Sequence, residues 1–297
     1  MPSDTSLPIV IGISSRALFR LEDENAIFEQ EGVEAYRQHQ LDAEESLLEP
    51  GSAFPLVQGL LNLNEAPSKP LVEVVIISHN SPELSLRIFR SIEDHGLDIR
   101  RAAFTSGASI GPFLEAFGVD LFLSRDAASV VEGLERGIAS AHLYTPPEGF
   151  TPDEQQIRIA FDGDAVIFSA EAERIYQSQG LHAFTEHERE KAKEPLPEGP
   201  FANVLRKLGA LRAQPNVGPA RLSFALVTAR SAQTHERVIR TLRQWGVTLD
   251  AAFFMGGSPK KHLLSAYKPH IFFDDQDVHC APAAQITPAG RVPSIDV

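Results

Sequence analysis

One cysteine in 297 residues, Cys280, leaves no partner for an intrachain disulfide and no thiolate set for a Cys-rich zinc site. Positive charge is also scarce: 27 Lys and Arg stand against 40 Asp and Glu, a formal charge of −13. Such a chain repels phosphate backbones and anionic lipid, which argues against nucleic acid and membrane as partners. A small anionic substrate is admissible if a bound divalent cation neutralises it locally. No apolar run approaches the ~20 residues that a bilayer span needs. The stretch "MPSDTSLPIV" lacks the basic and then apolar pattern of a secretory leader. These absences predict a soluble, cytoplasmic protein. Missing too is a G-x-G-x-x-G after the first strand, which removes a nicotinamide-dependent dehydrogenase.

What is present is a set of short, continuously apolar runs: "LVEVVIIS" (71–78), "RIAF" (158–161), "RLSFALVT" (221–228) and "PHIFF" (269–273). Runs of this kind, alternating with amphipathic stretches such as "AQTHERVIRTLRQWG", predict buried strands of a parallel sheet covered by helices on both faces. The expected class is α/β. The two halves also overlay. Residues 74–109 match 224–259 without a gap, with Arg87 over Arg237, Arg90 over Arg240, Gly96 over Gly246 and Gly107 over Gly257. Residues 13–39 fall on 161–187, with Gly32 over Gly180. Matched glycines and arginines are not demanded by strand-and-helix periodicity, so a duplicated α/β unit is expected.

The chain is therefore divided into residues 1–150 and 151–297, joined by the Pro-rich "YTPPEGFTPDEQQ" (144–156). The irregular "EREKAKEPLPEGP" (188–200) suggests an insertion above the second half of the sheet, with a small cap expected around 169–220. The halves differ where chemistry is expected. Asp162, Gly163 and Asp164 in "AFDGDAVIFS" replace Ser14, Ser15 and Arg16, and "FFDDQ" replaces "FLSRD". In an open parallel sheet, ligands bind at the carboxyl ends of strands. Asp162, Thr228, and Asp274 with Asp275 each end a predicted strand. A carboxylate cluster at one edge is self-repelling without a cation, and hard oxygen donors select Mg²⁺.

"DGDAV", a strand-end Thr228, a Lys and a strand-end "DD" resemble the haloacid-dehalogenase (HAD) phosphatase superfamily. More closely, "IAFDGDAVIFS", "LVTARSA", "GGSPK" and "PHIFFDDQ" resemble the cytosolic 5'-nucleotidase I family, in the same order, across about residues 70–285. The first fifty residues carry no such motif. The resemblance implies a HAD-like Rossmannoid sheet and hydrolysis of nucleoside 5'-monophosphates, AMP among them. It makes Asp162 the nucleophile, Asp164 the general acid and base, Thr228 a phosphoryl-oxygen donor and Lys260 the stabiliser of transition-state charge. Lys261 is adjacent, and "SPK" favours Lys260. The implied Mg²⁺ ligands are Asp162, the main-chain carbonyl of Asp164, and Asp275 or Asp274.

Phe168 is a candidate to stack on a base, with core packing as its plain alternative. Arg230 is a candidate phosphate or ribose contact. Ser78 overlies Thr228, but the first half lacks the aspartates, so it is expected to be a structural or regulatory partner without turnover. The resemblance further implies a nucleotide activator and a homo-oligomer. Two rival readings remain: a phosphatase acting on another small phosphoester such as a sugar phosphate, and a nucleotide sensor that has lost turnover. A retired site would have lost its nucleophile, and Asp162 is present.

Overall fold

The computed structural model describes residues 6–66 and 68–294, so the first five residues of the N-terminal stretch read above lie outside the described residues. The strands are β1 (Ile9–Ile13), β2 (Val72–Ser78), β3 (Arg101–Phe104), β4 (Leu121–Ser124) and β5 (Ala139–Leu143) in the first half. In the second half they are β6 (Ile157–Phe161), β7 (Leu222–Thr228), β8 (Ala251–Phe254), β9 (Ile271–Asp274) and β10 (Ala289–Arg291). All join one sheet in the order β3-β2-β1-β4-β5-β10-β9-β6-β7-β8. The expected α/β architecture is thus observed, with a mostly parallel sheet.

Strand direction departs from a wholly parallel sheet at one place. β5 and β10 pair antiparallel, Gly290 opposite Leu143 and Arg291 opposite His142, whereas every other neighbouring pair is parallel. The two halves therefore run in opposite senses, and their carboxyl ends open on opposite edges. Neighbour order is the same in each half: β1 lies between β2 and β4, as β6 lies between β7 and β9. In such a sheet the crevice forms where connections diverge from one strand to either side. That places one crevice at the end of β1 and the other at the end of β6.

Burial on both faces explains the uninterrupted apolar runs. Every residue of β7 is buried, as are all five of β1. Two helices knit the halves together. Phe54–Leu61 packs on β2 and on β6, and Ala202–Arg212 packs on β1. One large apolar cluster accordingly contains Ile9 and Leu60 from the first half with Ile159 and Leu208 from the second. Lys207 meets Asp120 across this junction at 2.8 Å, with both side chains at least nine-tenths buried. The segment 144–156 carries no helix or strand.

The stretch 169–220, expected to be a cap, divides in two. Glu171–Glu190 forms a long helix that packs over the turn following β6, whereas Ala202–Arg212 buries Val204, Leu205, Leu208 and Leu211 in the core. The second helix is part of the layer on the sheet, because its apolar side chains have no other surface to cover.

His270 lies at the start of β9 and is 2% exposed. Its Nδ1 accepts the Arg158 backbone N–H at 3.2 Å, an arrangement that requires the neutral ring. Burial pushes its pKa down to about 4. An unfolded chain takes up this proton near pH 6.5 and the folded chain resists until about pH 4, so stability is present above pH 6.5 and lost as pH falls through that window. The loss amounts to about 3 kcal/mol at most. Urea unfolding between pH 4 and 7 should show a shallower acid limb in His270→Gln than in the native chain; parallel limbs would contradict the assignment.

Candidate active site

The end of β6 is anchored by aromatic packing. Phe161, the last strand residue, stacks on Phe273 at 5.7 Å, and Phe201 touches Phe273 at 4.9 Å. All three rings are buried. Each buries on the order of 150–250 Å², so this platform resists movement of the residues directly after it. Those residues are Asp162 and Asp274. The Asp162 backbone N–H donates to Phe273 O at 2.7 Å, fixing the two strand ends together. The chain then turns through Gly163–Ile167, where Ala165 takes φ 59, a left-handed value uncommon for alanine. This turn aims Asp164 back over the strand end instead of away from it.

Lys260 sits between two of the carboxylates. Its Nζ donates to Asp162 Oδ1 at 2.7 Å and to Asp274 Oδ2 at 2.6 Å, and all three residues are at most 5% exposed. Burial works against the Lys260 ammonium, yet Asp162 and Asp274 outweigh it and raise its pKa. The carboxyls are raised as well, which for them favours the neutral form. Burial, with Asp274 and Asp164 adding to it against Lys260, pushes Asp162 up to about 7. Burial together with Asp162 and Asp274 pushes Asp275 up to about 8. One ammonium is too little positive charge for this edge.

Among the described residues, Asp162, Asp274 and Asp275 are the only group of three or more His, Cys, Asp or Glu that offers ligand atoms all within 4.8 Å of one another. The donor set is entirely carboxylate oxygen, which suits a hard divalent cation. The two aspartates of "DD" differ. Asp274 Oδ2 is taken by Lys260 and Oδ1 by the Gln276 N–H at 2.9 Å, while the Asp275 carboxyl accepts a hydrogen bond from no other described residue.

Asp164 is held by Arg230 through two hydrogen bonds, 2.8 Å from Nε and 2.7 Å from Nη2. Arg230 is itself 4% exposed and also donates to Glu188, whose other oxygen accepts from Arg237 at 2.8 Å. Thr228 Oγ1 accepts the Arg230 N–H at 3.2 Å, which leaves its hydroxyl proton for another acceptor. Glu188 arrives on the helix Glu171–Glu190, which bends at Gly180, φ 80 and ψ 180. That backbone region is essentially restricted to glycine. The bend turns the second half of the helix toward Arg230 and Arg237.

The structure thus brings together Asp162, Asp164, Thr228, Lys260, Asp274 and Asp275. It separates Lys261, whose Nζ bonds Gln285 at the surface. Phe168 is corrected: it is fully buried, tilted against Trp245 at 5.6 Å, and has no face open to a base. Arg230 lies at the site, but its guanidinium is committed to Asp164 and Glu188. Glu188 is the residue that sequence reading passed over, because it stood at the start of a stretch read as irregular.

A family model described as 5'-nucleotidase matches residues 1–296. The human protein named cytosolic 5'-nucleotidase 1B is 36% identical over 289 residues, which is 94% of this chain and 47% of that protein. The chain therefore spans about half the length of that curated relative. No solved structure matches. With the model covering nearly every residue, the chain belongs to the 5'-nucleotidase family.

Proposed function

We propose that the chain is a Mg²⁺-dependent 5'-nucleotidase that hydrolyses nucleoside 5'-monophosphates, AMP among them, to nucleoside and phosphate. The observation that carries this reading is the buried Asp162–Lys260–Asp274 network beside Asp275, seated where β6 meets β7 and β9. Residues 151–297 are read as the catalytic unit and 1–150 as its partner, a division supported by their shared strand order. A cytoplasmic location is part of the same reading.

Asp162, Asp275 and Asp274, with the main-chain carbonyl of Asp164, would hold the ion. Bound there, Mg²⁺ supplies the positive charge that lets a phosphate dianion approach an acidic edge. The remaining work belongs to the chain. An Asp162 oxygen forms a bond to phosphorus as the bond from phosphorus to the nucleoside 5' oxygen breaks, and protonated Asp164 gives its proton to that oxygen. This leaves an aspartyl-phosphate. Asp164, now a carboxylate, takes a proton from water, whose oxygen bonds to phosphorus as the Asp162–phosphorus bond breaks and phosphate leaves. Thr228 donates to a phosphoryl oxygen, and Lys260 faces the charge that develops on the transferring group. Arg230 sets the direction of the Asp164 carboxyl between these steps.

Phosphate release from a panel of nucleoside and sugar monophosphates, with Mg²⁺ or with EDTA, tests the reading. Release from nucleotides that requires Mg²⁺ is expected; silence on every monophosphate would sink it, and release from sugar phosphates alone would reassign the substrate. The two lysines separate in the same assay. Lys260→Ala should lower kcat by about 10²–10³-fold, the usual cost of losing one donor to transition-state charge. Lys261→Ala should retain the native rate, and a comparable loss there would refute the assignment of Lys260.

A further inference from the structure

At the opposite edge of the sheet, a cavity of about 530 Å³ opens at the carboxyl ends of β1, β2 and β4. Its volume is that of a small-molecule site. It occupies, in the first half, the place that the carboxylate cluster occupies in the second: β1 lies between β2 and β4 as β6 lies between β7 and β9. The local hydrogen bonding is preserved. Ser78 Oγ accepts the Asn80 N–H at 3.2 Å, as Thr228 Oγ1 accepts that of Arg230 at 3.2 Å. Ser124 Oγ accepts the Asp126 N–H at 3.0 Å, as Asp274 Oδ1 accepts that of Gln276 at 2.9 Å.

The charge is reversed. Where the second half places Asp162, Asp164, Asp274 and Asp275, the first places Ser14, Arg16, Ser124 and Arg125. Four carboxylates become two hydroxyls and two guanidinium groups. Arg125 is partnered by Glu22 at 3.1 Å, but Arg16, on the cavity wall, has no ion pair or hydrogen bond among the described residues. Ser14 Oγ, at the nucleophile's position, is buried without a partner. The acidic groups lining the cavity are already engaged. Glu24 pairs with Arg87 at 2.6 Å, Asp126 accepts from Ser129 N at 2.7 Å and Oγ at 2.5 Å, and Glu29 accepts from Asn25 at 2.7 Å. His79, the remaining titratable side chain on the wall apart from Tyr36, is bonded to Ser129 Oγ. Near the mouth, Phe28 and Tyr36 meet edge to face at 5.9 Å, with Phe28 47% exposed.

We infer that this cavity is a second site, which binds the phosphate of a nucleoside phosphate directly through Arg16 and the serine hydroxyls, without a metal ion and without hydrolysis. An unpaired guanidinium and donor hydroxyls take an anion as they stand, whereas the catalytic edge repels one until a cation is present. The apolar wall and the exposed ring of Phe28 receive the nucleoside. No carboxylate stands where Asp162 attacks, so the bound phosphate is left intact.

Titration calorimetry on the full chain in EDTA, with AMP and with inorganic phosphate as probes, tests this. One equivalent of AMP should bind, more tightly than phosphate. Arg16→Glu should weaken AMP at least about tenfold, the cost of one charge-assisted contact turned repulsive, and Asp162→Asn should leave the affinity unchanged. Arg16→Ala gives the same readout if the charge reversal impairs folding. Absence of binding at millimolar AMP, affinity undiminished in the Arg16 variants, or dependence on Asp162 would overturn the site. AMP binding no tighter than phosphate would overturn its assignment to a nucleoside phosphate. Every titration omits Mg²⁺ and measures no turnover, so the outcome is independent of the phosphatase reading.

Discussion

Asp162→Asn should abolish phosphate release, by about 10⁴-fold or more, the scale seen when a nucleophile is removed from a site whose other parts remain. The same change should leave the metal-free fold intact. Asn keeps the oxygen that accepts from Lys260, and Lys260 keeps Asp274 at 2.6 Å. It also deletes a carboxyl that burial and two like-charged neighbours already push up to about 7. A raised carboxyl pKa means the folded state favours the proton, so ionisation costs stability as pH rises toward and through that value. The metal-free variant should therefore unfold at the same temperature as the native chain or higher at pH 8. Mg²⁺ should stabilise the native chain more than the variant, because the variant would offer the ion one carboxylate fewer at the proposed site. A variant that unfolds early would contradict the account of a self-repelling cluster; one that still turns over would contradict the nucleophile.

Glu188→Ala should be the most damaging substitution outside the phosphate contacts. The residue has one carboxylate between two buried guanidinium groups, Arg230 and Arg237, each at most 4% exposed. Removing the common partner leaves two cations facing each other out of water, and breaking a buried pair in this way costs about 3–5 kcal/mol. The damage should reach the chemistry as well, since Arg230 then holds only Asp164. Glu188→Gln preserves shape and hydrogen-bond acceptance from one guanidinium, so its loss should be smaller in stability while kcat still falls more than KM rises. Thermal unfolding and steady-state kinetics on both variants check this. An unfolding temperature for Glu188→Ala equal to that of the native chain would show that the network is dispensable.

Much of this site is legible in one dimension because its parts are strand ends. A parallel strand announces itself as an apolar run, and the residue that follows is set at the ligand-binding edge by topology alone; Asp162, Thr228 and Asp274 are found this way. Lys260 is different. It lies before the helix Lys261–Tyr267 with an identical neighbour, and only the fold decides that one side chain enters the carboxylates and the other reaches Gln285. Glu188 has no local signal, because its partners lie 42 and 49 residues further along the chain. Phe168 misleads for the opposite reason: proximity in sequence to Asp162 suggests proximity to substrate, but the turn at Gly163–Ile167 drives the ring into the core beside Trp245. The antiparallel seam at β10 is hidden too, since a strand of three residues containing Gly290 and Arg291 carries almost no periodicity.

In the proposed reaction Asp162 itself attacks phosphorus. The stereochemical course at phosphorus, followed with a nucleoside phosphorothioate chiral through two oxygen isotopes and hydrolysed in water carrying the third, in the presence of Mg²⁺, tests it most directly. Two successive in-line displacements, first by Asp162 and then by water, predict net retention of configuration. Net inversion would mean a single attack by water, and would contradict the covalent role assigned to Asp162.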